Sequence, residues 1–490
     1  YVSWVTSLAG SELGRLVYER QGDDVLGVTP EPLVNLSQHR LEPLLLGRLA
    51  REPLADLSWR HEWCALEEDA TGVTSRVRDH ERAEDYEVRS RWVLAADGAG
   101  SRVRSALGIE MLGPDRLQSF IMIHFEANLR PLVGARPAIL YWTVDPACAG
   151  AFVAHDIDRT WVFMHRYDPD TEGPAAFTPA ACATIVRRAI GDDGVAFTIC
   201  DVSPWTMTAQ VAERLRAGRV FLVGDSAHRF PPSGGLGMNT GVQDAHNLAW
   251  KLGGVEAGWA GPALLDTYDA ERRPVAQRNA EQSLVNAMKM LELFVDLGLT
   301  DDVPASRARL TAALATEAGR AVVREKLAQQ QDHFDMLGLQ LGFTYETGAV
   351  VPDGSAPPAP ANPVRDFVPT SRPGARLPHA WVEQDGVRRS TLDLVAPDGF
   401  TLITGPAGAA WVAAAAHVPP PAVRCLVAGR DFADPDGSWQ RVSEIGPDGA
   451  LLVRPDQHVA WRAAGASPDP AATLAATVRQ VLSRSGGGAR

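Results

Sequence analysis

With 490 residues, 45 % of them apolar and 22 % charged, the chain has an ordinary globular composition and is too long for one hydrophobic core, so about three domains are expected. A net charge of −13 argues against nucleic acid or an anionic membrane as the main partner, and no run of about 18 apolar residues offers a membrane span. The opening residues lack a signal-peptide pattern, and the scattered cysteines (Cys64, Cys148, Cys182, Cys200 and Cys425) include no C-x-x-C pair. No disulfide framework or metal site is expected, and a reducing cytoplasm is the natural setting.

The first 30 residues, with YVSWVTSLAGSELGRLVYER, alternate polar and apolar and read as strands. No G-x-G-x-x-G stands at a strand-to-helix junction, so the chain is expected to begin partway into the protein. Residues 36–50 space Leu41, Leu44, Leu45 and Leu49 as a helix, with Ser37 as its N-cap. Strands are expected near 59–66 and 72–78, and WVLAADGAGSRVRSALGI reads as strand, glycine turn and helix. From residue 120 to 165 the runs IMIHFEANL, AILYWTV, GAFVAHD and TWVFMHRYD predict an antiparallel sheet, with a hairpin turn at 156–159. The α/β pattern returns at RVFLVGD, followed by a helix from about Asn239 to Gly253 and helical sequence to about Leu339. A Pro/Ala/Gly-rich linker then leads to a compact α/β domain with strands at STLDLVA, FTLITG, VRCLVAG and ALLVRPDQHVAWRA, and a frayed end at SRSGGGAR. The fold class is therefore α/β. A doubly wound (Rossmann-like) domain at 31–113 and 205–280 is interrupted by a sheet domain at 114–204, to which residues 1–30 add strands. A helical segment (281–350), a linker (351–378) and the last domain (379–490) follow.

The densest signal is GRVFLVGDSAHRFPPSGGLGMNTGVQDAHNLAWKL, residues 218–252. A buried strand ends at Gly224-Asp225, and an acid just past a strand's carboxyl end can accept hydrogen bonds from sugar hydroxyls. Pro231 and Pro232 stiffen the loop, while Gly234, Gly235 and Gly237 let backbone lie against a flat ring. The free amides and positive dipole end of the following helix point to the same place and suit negative charge. In VLAADGAGSRVRSALG, Asp97-Gly98 with Ser101, Arg102 and Arg104 makes a glycine turn flanked by arginines, which suits a pyrophosphate.

These runs resemble the second FAD-binding fingerprint and the DG fingerprint of the class A flavoprotein monooxygenases, the para-hydroxybenzoate hydroxylase and phenol hydroxylase superfamily. The resemblance extends over essentially the whole chain, including YDAERRP at 268–274. It implies that Asp225, after Gly224, binds the ribityl chain of FAD. Pro232, with Gly235, flanks the reactive face of the flavin as the catalytic part of the loop, and Gly237, Met238 and Asn239 contact the pyrimidine edge. Asp97, Gly98 and Arg102 would serve FAD and the pyridine nucleotide, and Gln38 would touch the FAD backbone. The last domain resembles the thioredoxin-like appendage of the phenol hydroxylase branch. With Cys425 alone it has no resolving thiol, and a structural or dimer-related role is expected, with a homodimer as one assembly.

The implied reaction uses NADPH or NADH to reduce FAD, molecular oxygen to form a C4a-hydroperoxide, and a phenolic or polycyclic aromatic substrate to receive one oxygen atom. Protection from water and proximity are the protein's tasks. Residues rich in Ala, Arg and Gly point to a polyketide-like aromatic and antibiotic biosynthesis. The inserted sheet is expected to roof the flavin. Trp161, Phe163 and His165 share one face of their strand, and with His124, Trp142, Phe152, His155 and Phe343 they are candidate substrate contacts. His228 and Arg229 suit either substrate approach or loop packing. Two other readings share these motifs: Baeyer–Villiger or ring-rearranging oxygenation, and a non-catalytic flavin-fold binding protein.

Overall fold

The computed structural model describes residues 1–484 except 301, 420 and 422, and most of the end read as frayed lies outside the described residues. The short apolar runs at Val93–Ala95 and Val220–Leu222 become neighbouring parallel strands, paired Val93 with Val220 and Ala95 with Leu222. The second of them is buried along its length and packs on Leu248 and Tyr268 of two helices, Leu236–Glu256 and Thr267–Asp296. Because the strands are parallel and in register, the loops that follow them leave the sheet side by side. The two strands expected after residue 58 are His61–Asp69 and Gly72–Asp79, and a third, Glu84–Ser90, completes a meander. Its alternation of charged residues hid it, since both faces are open to water over most of its length.

A seven-stranded sheet forms the second layer, in the order Thr198–Met207, Gln118–Glu126, Thr160–Tyr167, Gly150–Asp156, Leu140–Thr143, Val2–Val5, Glu12–Leu16. The strict burial alternation along Gln118–Glu126 reflects the period of two. Ile121, Ile123 and Phe125 face the amphipathic helix Pro179–Ile190, which buries Cys182, Val186, Ala189 and Ile190 against them. The opposite face, with Phe120 and Trp142, looks toward the long helix Thr267–Asp296.

The C-terminal domain is thioredoxin-like. Its sheet runs Val423–Val427, Phe400–Thr404, Ala450–Val453, Val459–Ala463, with the first pair parallel and the others antiparallel. STLDLVA is not a strand as expected. Thr391–Leu394 is a single 3-10 turn, held by Ser390 and Asp393 capping each other's backbone. Instead Trp381–Gln384 and Val387–Ser390 form a hairpin whose turn places Asp385 at φ 54° and Gly386 at φ 72°. Asp-Gly is the sequence such a turn favours.

Gln38–Leu49 is a helix as expected, with Ser37 at its N-cap position, but Ser37 makes no side-chain cap and no residue of the helix is buried. Its leucines lie open, Leu44 at 66 % and Leu45 at 59 %.

The C-terminal domain is fastened to the flavin-type domain by charges wholly out of water. Arg454 donates to both oxygens of Glu271 at 2.8 Å, and also to Asp456 at 2.9 Å through its Nε. Lys251 and Asn247 donate to the same Glu271 carboxylate at 2.7 and 2.6 Å, and the Ala349 amide does so at 2.7 Å. Burial alone would raise the Glu271 carboxyl, but Arg454 and Lys251 override it and hold it at about 2. Burial pushes Lys251 down to about 8 against the pull of Glu271. Removing one partner strands the others, so Glu271→Gln should cost about 3–5 kcal/mol, read from urea unfolding. Glu271 has a depressed folded pKa, so its contribution is complete above the ordinary carboxylate range. In the wild type it is lost as pH falls from about 4.5 toward 2, and that part of the acid limb should be missing from Glu271→Gln. Asp158→Asn, on the exposed pair with Arg130, should leave the unfolding midpoint in place.

Candidate active site

The loops after the two parallel strands meet at the carboxyl edge of the sheet. Ser226 Oγ donates to the Ala95 carbonyl at 2.6 Å, and Arg104 bridges the loops, donating to the Ser226 carbonyl at 2.9 Å and the Ala99 carbonyl at 3.2 Å. Asp97 caps the short helix Arg102–Ala106 by accepting from Ser101 Oγ at 2.5 Å and the Val103 amide at 3.2 Å. Gly98 at φ 79° has open space where a side chain would stand. Arg102 is exposed and pairs with Glu62.

After Asp225, the chain passes through Pro231 and Pro232 into Gly234 and Gly235, both in the left-handed region at φ 106° and 64°. A β-carbon at Gly234 would strike Met336. The helix begins at Leu236, three residues before the expected Asn239, so Gly237 and Met238 lie in its first turn with amides free of intrahelical partners, and Asn239 is the first residue whose amide reaches back to the N-cap carbonyl of Gly235. The turn and the helix approach closely, for a β-carbon at Gly241 would come within 3.1 Å of Gly224 Cα.

Asp244, one helical turn further on, holds this arrangement from within. Its carboxylate accepts from the Gly224 amide at 3.2 Å, from His228 Nε2 at 2.7 Å and from Arg272 at 2.8 Å. Burial works to raise the Asp244 carboxyl, but Arg272 and His228 keep it below the usual range. His228 is buried and stacks on Phe230 at 4.9 Å, which decides for loop packing over substrate approach. Arg229 turns to Gln210.

Around these residues lies a cleft of about 990 Å³. Its wall includes Gln38, Ala99, Asp225, Pro232, the segment Gly234–Asn239, Trp205 of the sheet, and Tyr18 and Gln340. Gln38 donates to Glu42 at 2.6 Å and stands at the rim. The exposed Asp225 carboxylate, the backbone left bare at Gly98 and Gly237, and the open first turn of a 21-residue helix fit a flat, polar-edged ring system carrying a hydroxylated chain.

A smaller apolar cavity of about 170 Å³ adjoins the cleft at Ser233. It lies between Phe120, Trp142 and Met207 of the sheet and Leu284, Leu291 and Phe294 of the long helix. Trp142 packs edge-on against Phe294 at 6.2 Å, and its indole N–H is buried without a partner.

Of the expected substrate face, only Trp142 lines this cavity. Phe152, Trp161 and Phe163 are fully buried on the other side of the sheet, beneath helix Pro179–Ile190, and so cannot touch a ring in the cleft. The shared face of Trp161, Phe163 and His165 is real, but cross-strand pairing with Phe125, Ile123 and Ile121 turns it inward. His124 lies on the cleft-side face, yet its ring neighbours His39 at 6.3 Å, and His155 neighbours His39 at 6.0 Å, beyond the lining of either cavity. Phe343 is buried with Tyr345 and His458 against the C-terminal domain. The helix side of the cavity went unread, although Leu284, Ala287, Leu291 and Phe294 recur at helical spacing.

Residues 8–283 match the FAD binding domain family, and residues 370–485 match the family described as aromatic-ring hydroxylase, C-terminal. The chain belongs to the class A FAD-dependent monooxygenases. It is 36 % identical to 2,4-dichlorophenol 6-monooxygenase of Delftia acidovorans over 98 % of this chain and 85 % of that protein. It is 34 % identical to tetracenomycin A2 monooxygenase-dioxygenase of Streptomyces glaucescens, over 95 % and 78 %. The crystal structure of the flavin-dependent monooxygenase PieE with FAD and substrate superposes with a TM-score of 0.92 at 36 % identity, covering 99 % of this chain and 86 % of that one. The monooxygenase uses FAD with NAD(P)H as reductant, and no described helix is long and apolar enough to cross a membrane.

The placement of Trp161 has a direct consequence. Trp161→Ala in this monooxygenase should lower stability by about 3–5 kcal/mol through a core cavity, as measured by urea unfolding. Aromatic-ligand affinity in the folded fraction should be unchanged.

Proposed function

We propose that this monooxygenase hydroxylates a phenolic ring seated in the apolar cavity beside Ser233. The observation that carries this reading is the junction of a ring-sized apolar space with the loop that faces the flavin-type cleft. An apolar cavity of about 150 Å³ can hold a benzene ring, and this one measures about 170 Å³. Bound FAD, reduced by NAD(P)H, supplies the activation of molecular oxygen.

The protein's part follows from its residues. Asp225 accepts hydrogen bonds from the ribityl hydroxyls. The free amides at Gly237 and Met238, with the Asn239 that follows them, would hold the pyrimidine edge of the cofactor, where the helix dipole favours negative charge. Pro232 and Gly235 hold the loop against the ring face nearest the substrate, and Asp97, Gly98, Arg102 and Gln38 flank the rest of the cofactor. Leu284, Leu291, Phe294 and Phe120 exclude water from the reacting ring. Trp142 forms the sheet-side wall against which the substrate ring packs. The dichlorophenol and tetracenomycin relatives support an aromatic substrate, and the five free cysteines support a reducing cytoplasmic setting.

Two variants test these roles on the FAD-loaded protein. Asp225→Ala should weaken FAD binding by about 1.5–3 kcal/mol, read by flavin fluorescence titration. Trp142→Ala removes the aromatic wall of the cavity, so KM for a phenol should rise roughly three- to tenfold with flavin content unchanged. Unaltered KM and coupling in that variant would remove Trp142 from the substrate site.

A further inference from the structure

The apolar cavity beside Ser233 has few side chains on its wall that can take part in a hydrogen bond. Arg166 and the indole of Trp142 can only donate, and Ser233 brings a hydroxyl on the loop side. On the sheet side stands Gln118, half-buried at the start of strand Gln118–Glu126. Residues two apart on a strand share a face, so Gln118 and Phe120 both look toward the long helix. Across the neighbouring strand Gln118 pairs with Met207, another residue of the cavity wall.

The Gln118 amide is not free to turn. Its Nε2 donates to the Ser119 carbonyl at 3.1 Å and to the Tyr167 carbonyl at 3.3 Å. Those two bonds use both hydrogens of the NH₂ group. Reversing the amide would set Oε1 against two carbonyl oxygens, so the network itself decides which end is which. Oε1 accepts no hydrogen bond among the described residues, and the residue is half-buried rather than sealed. The cavity wall therefore carries a carbonyl oxygen that is held from behind and has its lone pairs unused.

We propose that Gln118 is a specificity-determining residue whose Oε1 accepts the hydrogen bond of the substrate's phenol hydroxyl. The inference rests on the aromatic-hydroxylase reading above and deepens it to substrate class: a ring with a free hydroxyl rather than its alkyl ether. A phenol titrates near about 10, so at neutral pH it arrives with its proton and needs an acceptor. Buried in an apolar space without one, the O–H would lose its bond to water and gain nothing in return. An aryl methyl ether of the same ring brings no donor, and it leaves Oε1 unpaired as well.

The test measures dissociation constants of phenol and of methoxybenzene on the FAD-loaded protein at neutral pH, by flavin absorbance perturbation and by calorimetry. The wild type should prefer phenol roughly five- to tenfold. Gln118→Met keeps the length of the side chain without its amide, so phenol should lose that advantage while methoxybenzene binds as before. A merely structural role would move both ligands together. Gln118→Asn, whose amide is drawn back by one methylene, should also level the two ligands, and it decides alone if Gln118→Met fails to fold. Equal losses for both ligands, or a phenol preference that survives in the folded variants, overturn the inference. A preference lost in Ser233→Ala but kept in Gln118→Met moves the acceptor to the loop and overturns it too. A wild type that binds both ligands without preference defeats the acceptor role alone, whereas a loaded protein that binds neither defeats the hydroxylase reading together with it.

Discussion

Glu271 and Arg272 are neighbours on one helix, and between them they tie the flavin cleft to the C-terminal domain. Glu271 looks outward and gathers Arg454, Lys251, Asn247 and the Ala349 amide. Arg272 looks inward and grips Asp244, which in turn holds the Gly224 amide and His228. These side chains have no water to fall back on, so a shift of any one leaves a charge unpaired in a poor dielectric. The helix that carries both residues is thereby locked in register against the glycine-rich loop and the C-terminal hairpin at once. The exposed Asp225, proposed to hold the ribityl chain, follows directly on the Gly224 whose amide this buried set holds.

The cleft itself follows from strand parity. Two parallel strands ending at the same level deliver the DG and GD loops to one edge, and the 21-residue helix adds the free amides of its first turn. The seven-stranded sheet then divides its aromatic residues between two environments. Phe125, Phe152, Trp161 and Phe163 pack under helix Pro179–Ile190, while Phe120 and Trp142 face the long helix across a ring-sized gap. The first face supplies stability, and the second leaves the gap proposed for the substrate.

Much of this was legible in order along the chain. Strand, acid, prolines, glycines and helix agree over residues 218–252, and that agreement located the cleft, its loop and its family. Trp142 was legible as an aromatic on an inserted strand. The departures from expectation have separate physical causes. Phe152, Trp161 and Phe163 were assigned to the cleft because alternation tells which residues share a face, but not which face looks where; one residue of register exchanges the two. The STLDLVA run read as a strand because the Ser390–Asp393 cap, which bends it into a turn, competes with apolar alternation. The Asp385-Gly386 hairpin, by contrast, is written in the sequence as the Asp-Gly turn signal.

Local chemistry in the order of residues was enough to establish the α/β class and the nucleotide-type loops, because each depends on near neighbours and backbone preference. The buried meeting of Glu271 with Arg454, the pairing of Asp244 with Gly224, the apolar gap at Ser233 and the contact of Glu19 with Met336 bring together residues from 20 to 317 positions apart. Such contacts arise when packing closes several elements around one another, and the pattern of any single element carries no record of its eventual partner.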